Sequence, residues 1–171
     1  METLQKNSTF RKKADWLISW VLVWLMSLMV INVSWQVASR YLLNDPSSFT
    51  DELARYMLIW IGMLGAAYVA GKNEHLAIDV LQDFLQPDQK RRVQVFIRVI
   101  IGVFALLTMV IGGSNLVYIT FILEQTSAAL RIPLAYVYGI IPVSGLLVIY
   151  YQVSDILLLQ KTKIQTTDGN D

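Results

Sequence analysis

The chain has 171 residues, of which 55% are hydrophobic and 16% are charged, and its formal net charge is +1. A soluble domain is usually about 45–50% apolar and about 25% charged, so this composition argues against an ordinary soluble protein. The sequence contains no cysteine, which excludes disulfides, thiolate metal sites and cysteine nucleophiles.

The apolar residues are concentrated in four long runs, at residues 16–39, 53–71, 93–123 and 134–159. Each run reaches the roughly 20 residues that a helix needs to cross about 30 Å of hydrocarbon. Backbone polar groups inside lipid must be satisfied within the segment, and for runs of this length that requires helices. The sequence therefore predicts an all-α integral membrane protein, with four transmembrane helices in a single membrane domain over residues 1–171.

The basic residues indicate the orientation of these helices. Most of them flank the runs on one side of the membrane: Lys6, Arg11, Lys12, Lys13, Lys72, Lys90, Arg91, Arg92, Lys161 and Lys163. The basic residues of the segments on the other side are only Arg40, Arg55 and Arg131. Because positive residues stay in the cytoplasm, we expect both termini to be cytoplasmic. The basic residues form no continuous stripe, which disfavours nucleic acid as a partner.

A polar stripe runs along the outer half of the first span. Asn32, Gln36 and Arg40 follow one another at intervals of four residues, so they share one helix face. Amide side chains are costly against lipid, and this face is therefore expected to contact protein.

Charges also mark the start of the second span. Asp51 and Glu52 lie in its first turn, where acidic residues favour the positive end of the helix dipole. Arg55 lies four residues after Asp51 and can pair with it. The loop after Arg40 is short, so we expect Arg40, Asp51, Glu52 and Arg55 to form a charged cluster at the outer membrane surface. The cluster either fixes the helix pair or docks another protein.

Small residues continue the same face of the second span. At about 100° per residue, Gly62, Ala66 and Ala70 lie below Arg55 on one side of the helix. A ridge of small residues permits close approach of another helix in a membrane. We therefore expect a packing seam here, although small residues are also common in membrane spans without such a role.

Two features are typical of a membrane interface. Trp16, Trp20 and Trp24 form an aromatic stripe at the cytoplasmic start of the first span, which is expected to face lipid. Between the second and third runs, residues 76–86 predict a short amphipathic helix that lies in the cytoplasmic interface, with Val80 and Phe84 on its apolar face.

Three further residues affect the shape or the ends of the later spans. Pro142 lies inside the fourth run and is expected to kink that helix. Gly113, in a pair of glycines within the third run, can kink its helix or admit a neighbour. Arg98 lies near the cytoplasmic end of the third run, where its long side chain can reach the interface.

Catalytic chemistry has no visible basis in the sequence. His75 is the single histidine, which excludes a bis-histidine haem and most transition-metal sites. Catalytic and nucleotide-binding motifs are absent, and the acidic residues lie near the ends of the spans. We therefore expect a protein that is not an enzyme and needs no cofactor or metal. Its expected role is to hold, orient or dock another molecule.

Several segments together resemble a known family. They are Arg40-Tyr41, the stretch DELARYMLIWIGMLGAAYVAGKNEHLAID at 51–79, and LRIPLAYVYGIIPVSG at 130–145. They resemble the small membrane subunit of tripartite ATP-independent periplasmic (TRAP) transporters, the DctQ-like family, and the resemblance covers residues 16–159.

The resemblance implies a role in the bacterial inner membrane. In this family a soluble periplasmic binding protein delivers an organic acid anion to a large multi-span subunit, which carries it inward with sodium. The small subunit has four spans and cytoplasmic termini, contacts membrane lipid, and braces the large subunit as a static scaffold. The resemblance favours the sialic-acid branch, while dicarboxylates and other sugar acids remain open.

Two other classes remain as alternatives. A self-sufficient four-span exporter predicts a carboxylate embedded in an early span, where the sequence offers only Asp15 at the edge. A membrane anchor or assembly factor of another complex, such as a cytochrome subunit, predicts intramembrane histidines, and the four runs have none.

Overall fold

The computed structural model describes residues 2–43, 47–72 and 87–167. Their backbone is almost entirely helical, and the described residues form no strand beyond one isolated bridge between Thr126 and Pro133. The helices are α1 (Glu2–Leu42), α2 (Ser48–Lys72), α3 (Pro87–Phe104), α4 (Gly113–Ile122), α5 (Leu134–Tyr138) and α6 (Ile140–Thr167). A π-helix, π1 (Ala105–Gly112), joins α3 to α4.

Four stretches of this backbone are long and apolar enough to cross a membrane: Arg11–Leu42, Ser48–Lys72, Arg92–Ile122 and Leu134–Leu157. They confirm the all-α, four-span membrane fold. We call them the first to fourth spans. The interfacial helix expected at residues 76–86, with Val80 and Phe84, lies outside the described residues and stays a prediction.

The four spans pack as an open row. The first span packs on the second, the second on the fourth, and the fourth on the third. The fourth span is the most enclosed, since 39% of its apolar window is buried against 6% for the third. The row therefore leaves much of its first and third spans exposed.

The spans have two ends, one at each membrane surface, and different residues lie at these two ends. The first span begins where the fourth ends, because Arg11 contacts Asp155. We call this the terminal end, and the charge distribution predicts that it is cytoplasmic. The opposite end holds the start of the second span and the connection at residues 123–133, and we call it the hairpin end.

Small residues set the spacing between neighbouring spans. The core contains Ala67, Ala70, Ala105 and Val148. A Cβ atom on Gly145 would lie 2.7 Å from the Cβ atom of Met109, which is closer than real contacts allow. The backbones of the third and fourth spans thus approach each other to a distance that only glycine permits at this position.

The second close approach involves the predicted glycine pair. A Cβ atom on Gly113 would lie 2.8 Å from Cγ2 of Ile141 and 3.2 Å from Cδ of Pro142. Gly113 is buried, and it admits the fourth span as a neighbour.

The π-helix keeps one face of the third span against the fourth. Ile101, Ala105, Met109 and Gly113 follow at four-residue intervals, and all four are in or near this contact. In a regular α-helix each such step rotates the contact face by about 40°. Because a π-helix bonds residue i to i+5 and winds more loosely, it reduces this rotation.

The fourth span is interrupted at Gly139, between α5 and α6, and Pro142 lies in the first turn of α6. Proline lacks the N–H that would bond to the carbonyl four residues earlier, which is that of Tyr138. The irregularity therefore precedes Pro142 by about one turn. The helix is thus interrupted near Pro142 as expected, and the angle of the kink stays a prediction.

Candidate functional site

The polar stripe of the first span lies against the start of the second. The Asn32 amide, which is buried, donates a hydrogen bond to the carbonyl of Thr50 at 2.8 Å. Gln36 donates to Oδ1 of Asp51 at 3.0 Å. These two bonds join two side-chain amides of the first span to the start of the second span. They connect the first two spans at the hairpin end.

The charged cluster is only partly assembled. Arg55 pairs with Asp51, and their side chains are 71% and 50% exposed, so the pair contributes less than about 1 kcal/mol. Arg40 lines a small polar cleft together with Gln36 and Asp51, about 270 Å³ in volume. The structure therefore brings Arg40, Asp51 and Arg55 to the same surface.

Glu52 takes a different role. Its carboxylate accepts hydrogen bonds from the backbone N–H groups of Ala128, Ala129 and Leu130, at 3.1, 2.8 and 3.0 Å. The hydroxyl of Tyr56 donates a further bond to it at 2.9 Å. Glu52 thus attaches the second span to the connection between the third and fourth. Its partners are mostly backbone amides, which carry no side-chain signal in a sequence.

The segment at residues 123–133, which we call the outer hairpin, is closed by its own backbone. Ser127 N–H donates to Ile132 C=O at 2.9 Å, and Leu134 N–H donates to Gln125 C=O at 2.9 Å. Glu124 and Arg131 adopt left-handed conformations, with φ of 48° and 53°. These angles are uncommon for residues other than glycine, and the internal bonds maintain them.

A second polar cluster, which sequence analysis missed, lies at the terminal end. The Asp155 side chain is 3% exposed, and its two oxygens lie 2.5 Å from the guanidinium nitrogens of Arg11 and Arg98. Arg11 also donates to the carbonyl of Gly71. One carboxylate on the fourth span is therefore linked to all three of the other spans.

Neighbouring groups extend this terminal cluster. The hydroxyl of Tyr151 donates to Oδ1 of Asp15 at 2.5 Å. A Cβ atom on Gly71 would lie 2.9 Å from the Tyr151 ring, so the ring rests directly on the end of the second span. Arg98, expected to reach the interface, is instead 16% exposed and paired with Asp155.

The expected small-residue seam divides into two parts. Ala70 is buried in the core of the chain. Gly62 and Ala66 are exposed, and a Cβ atom on Gly62 would meet nothing within 4 Å. Among the described residues no helix packs against Gly62 and Ala66, and their part of the seam stays a prediction.

The aromatic stripe is also on the outside. Trp16 and Trp20 are exposed, with ring centroids 5.9 Å apart. Among the described residues, no group of three His, Cys, Asp or Glu side chains could hold a metal ion. The polar contacts between spans that the structure describes are concentrated at the terminal end and at the hairpin end.

The fold and these contacts define a class of protein. The chain is a multi-pass membrane protein with large exposed faces. Its four apolar spans form an open row, and polar contacts at the terminal end and at the hairpin end hold them together. The family model for the DctQ component of tripartite ATP-independent periplasmic transporters matches residues 29–162. The chain belongs to this family, and it is a TRAP transporter component of the inner membrane.

Curated relatives agree with this membership. The chain is 27% identical over 142 residues to the sialic acid TRAP transporter small permease protein SiaQ of Vibrio cholerae, covering 80% of this chain and 78% of the relative. It is 32% identical over 104 residues to the C4-dicarboxylate TRAP transporter small permease protein DctQ of Rhodobacter capsulatus, covering 60% and 44%.

A third relative is a larger protein. The sialic acid TRAP transporter permease protein SiaT of Haemophilus influenzae is 24% identical over 92 residues, covering 54% of this chain and 14% of SiaT. The family consists of transporter components and is not an enzyme family. The match favours a TRAP transporter component over a self-sufficient exporter and over a membrane anchor or assembly factor of another complex.

Proposed function

We propose that this chain is the small scaffold subunit of a sodium-coupled secondary transporter. In this proposal a periplasmic binding protein delivers an organic acid anion, and a large multi-span subunit carries it across the membrane. The observation that carries the proposal is the open row of spans, whose exposed small residues Gly62 and Ala66 suit another helix. Family membership supplies the partner class.

The distribution of charge supports a scaffold over a carrier. Residues 16–39, 99–122 and 134–154 contain no charged residue, and residues 53–71 contain only Arg55. A carrier coupled to a cation usually has a buried ionisable group along its path through the membrane. We therefore propose that the substrate and sodium sites lie in the large subunit.

The orientation belongs to the same proposal. Lys12, Lys13 and Arg92 lie at or near the terminal end, and by the positive-inside rule we propose that this end is cytoplasmic. The hairpin end, with Arg40, Asp51 and Arg55, then faces the periplasm. There the cluster can fix the first two spans, dock the binding protein, or do both.

The substrate is proposed to be a sialic acid. The relative with that printed substrate aligns over 78% of its own length, whereas the dicarboxylate relative aligns over 44%. Both substrates are carboxylates, so the chemical class is common to the two relatives.

Uptake into proteoliposomes tests the proposal. Vesicles that contain the small and large subunits, an inward sodium gradient and the binding protein should accumulate radiolabelled sialic acid. Vesicles with the large subunit alone, or without the gradient, are the controls. Equal uptake without the small subunit would contradict the scaffold role, and preferential uptake of a C4-dicarboxylate would contradict the substrate.

A further inference from the structure

One exposed face of the first span carries an open groove that takes no part in the contacts between spans. The groove has a volume of about 470 Å³, and residues of this helix alone line it. Two rows of side chains at four-residue spacing enclose it: Trp16, Trp20 and Trp24, and Leu17, Val21 and Leu25. Such rows form ridges on a helix, and a narrow apolar chain can lie in the groove between them.

The groove is about as long as one leaflet is thick. It extends from Trp16 to Leu28, which corresponds to about 18 Å along the helix axis. Half of the hydrocarbon core of a bilayer is about 15 Å thick. The extended acyl chain of one phospholipid therefore matches the groove in length, whereas a transmembrane helix of a partner would continue into the other leaflet.

An interfacial aromatic belt accounts for only part of the tryptophan ridge. Trp16 and Trp20 have ring centroids 5.9 Å apart, and belts of this kind lie at the level of the headgroups. Trp24 lies about 12 Å beyond Trp16, toward the middle of the bilayer, and is 62% exposed. Bulky side chains also keep helix backbones apart, in contrast with small residues such as Gly62 and Ala66. The groove therefore suits an acyl chain better than a partner helix.

Two lysines lie one turn before the groove on the same side of the helix. Lys12 and Lys13 precede the groove residues Trp16 and Leu17 by four positions, which places each within about 40° of its partner around the axis. Both lysines are exposed. In the part of the chain that the structure describes, neither forms an ion pair. Their ammonium groups can therefore contact an anion at the mouth of the groove.

The acidic side chains beside these lysines already have partners. Asp15 accepts a hydrogen bond from Tyr151, and Asp155 is paired with two arginines. The charges of these two acids and two arginines cancel. The charges of Lys12 and Lys13 are therefore not compensated by this buried cluster.

The sequence on this side of the spans also carries a positive surplus. Residues 1–15, 72–98 and 155–171 together contain eleven basic and nine acidic side chains. Basic residues beside a membrane span attract anionic lipids. Lysines can reach the headgroups because their long stems lie along apolar surface.

We propose that the groove binds one anionic phospholipid of the adjacent leaflet, with an acyl chain against the tryptophan ridge and the phosphate on Lys12 and Lys13. The lipid would then be a bound component of the small subunit and not only its solvent. The inference concerns this chain in a bilayer, and it depends neither on the substrate nor on the orientation of the proposed transporter.

Quenching of tryptophan fluorescence by brominated lipids tests the site, because bromine quenches tryptophans that lie close to it. The full chain is reconstituted in phosphatidylcholine nanodiscs that contain increasing fractions of brominated phosphatidylglycerol or brominated phosphatidylcholine. The ratio of the two binding constants measures the preference for the anionic headgroup. We expect a preference on the order of tenfold at low salt, which should shrink at high salt because salt screens the lysines.

Lysine substitutions test the headgroup contact. Lys12→Gln and Lys13→Gln should each lower the preference about threefold, because each removes one cation from the mouth of the groove. Arg92→Gln is the matched control, since it removes an exposed cation of the same end from the third span. It should leave the preference unchanged.

A second pair of variants tests the acyl-chain contact with both lysines retained. Val21→Phe places a larger side chain in the groove and should weaken binding of phosphatidylglycerol severalfold. Val23→Phe is the control, because Val23 is exposed in the same leaflet but does not line the groove. This control should bind phosphatidylglycerol as the parent does.

Four results would overturn the lipid site. They are equal constants for the two lipids in the parent, a preference that survives both lysine substitutions, parent-like binding in Val21→Phe, and displacement of the lipid by inorganic phosphate at constant ionic strength. The last result would indicate a simple anion site. Repeating the titration with the large subunit bound gives one further arm. Loss of the preference there would show that protein covers this face in the transporter and would overturn the lipid as its occupant.

Discussion

At the scale of single residues, Asp155 connects the fourth span to the first and the third. It is nearly fully buried, and arginines from the first and third spans share its carboxylate. Removing one partner of a buried ion pair leaves the other charge uncompensated, which costs far more than the pair itself contributes.

Asp155→Asn should therefore destabilise the protein by about 3–5 kcal/mol, because two largely buried guanidinium groups lose their anion. Thermal unfolding in detergent, followed by tryptophan fluorescence, measures the change. Asp51→Asn is the matched control, since its ion pair is exposed and should cost less than about 1 kcal/mol. Equal shifts in the two variants would contradict the assigned role of Asp155.

The sequence predicts some of these residues and not others, for a physical reason. The contact of Asn32 and Gln36 with protein follows from their four-residue spacing and from the cost of amides in lipid. Asp155 and Arg11 are separated by 144 positions, and no local pattern links them. The amide partners of Glu52 are backbone groups, so residue types at those positions carry no signal.

At the scale of helices, the contact between the third and fourth spans depends on an unusual backbone and on glycine. The π-helix from Ala105 to Gly112 brings Met109 against Gly145. Neither hydropathy nor residue spacing reveals a π-helix, because the same apolar run suits a regular α-helix. The glycine pair predicted either a kink or a close neighbour, and Gly113 has a close neighbour in Ile141.

Gly145→Ala should destabilise the protein by about 1–3 kcal/mol, because the new Cβ atom would overlap Met109 and force the two spans apart. Gly102→Ala is the control in the third span, where the new atom would meet nothing within 4 Å. This control should be neutral or slightly stabilising, since alanine favours helix more than glycine does. Thermal unfolding measures the stability of both variants. A Gly145→Ala variant as stable as the Gly102→Ala variant would contradict the close packing of Gly145 against Met109.

The interfacial helix at residues 76–86 remains a prediction from its amphipathic pattern. Spin labels introduced at Val80 and Phe84 should report headgroup depth or protein contact, because both positions lie on the apolar face. Accessibility to a water-soluble relaxation agent measures this. Free aqueous mobility at both positions would rule out a helix that lies in the interface.

At the scale of the whole molecule, an open row of four spans has two edge helices and broad exposed faces. The number and type of the spans follow from hydropathy alone, since each crossing requires a long apolar run. Their packing order does not, because every run is apolar on most sides. Which exposed face meets lipid and which meets protein is a property of the assembly.

Replacement of small residues on one exposed face separates these possibilities. Gly62→Leu and Ala66→Leu should leave the isolated chain folded, since Gly62 and Ala66 are exposed. In the assembled transporter the same variants should overpack the seam at a cost of about 1–3 kcal/mol and reduce assembly or uptake. Co-purification with the large subunit measures assembly, and Met57→Leu is the control.

Parent-like assembly and uptake in both seam variants would show that this face meets lipid. Loss of assembly in Met57→Leu, with the seam variants intact, would show that the interface lies on the other side of the second span.

The most direct test of the scaffold assignment is the composition of the complex in native membranes. The tagged chain is solubilised in mild detergent, captured, and analysed by native mass spectrometry. We expect a heteromeric complex in which this chain is bound to one large multi-span subunit. Capture of a homodimer of this chain without a large partner would contradict it.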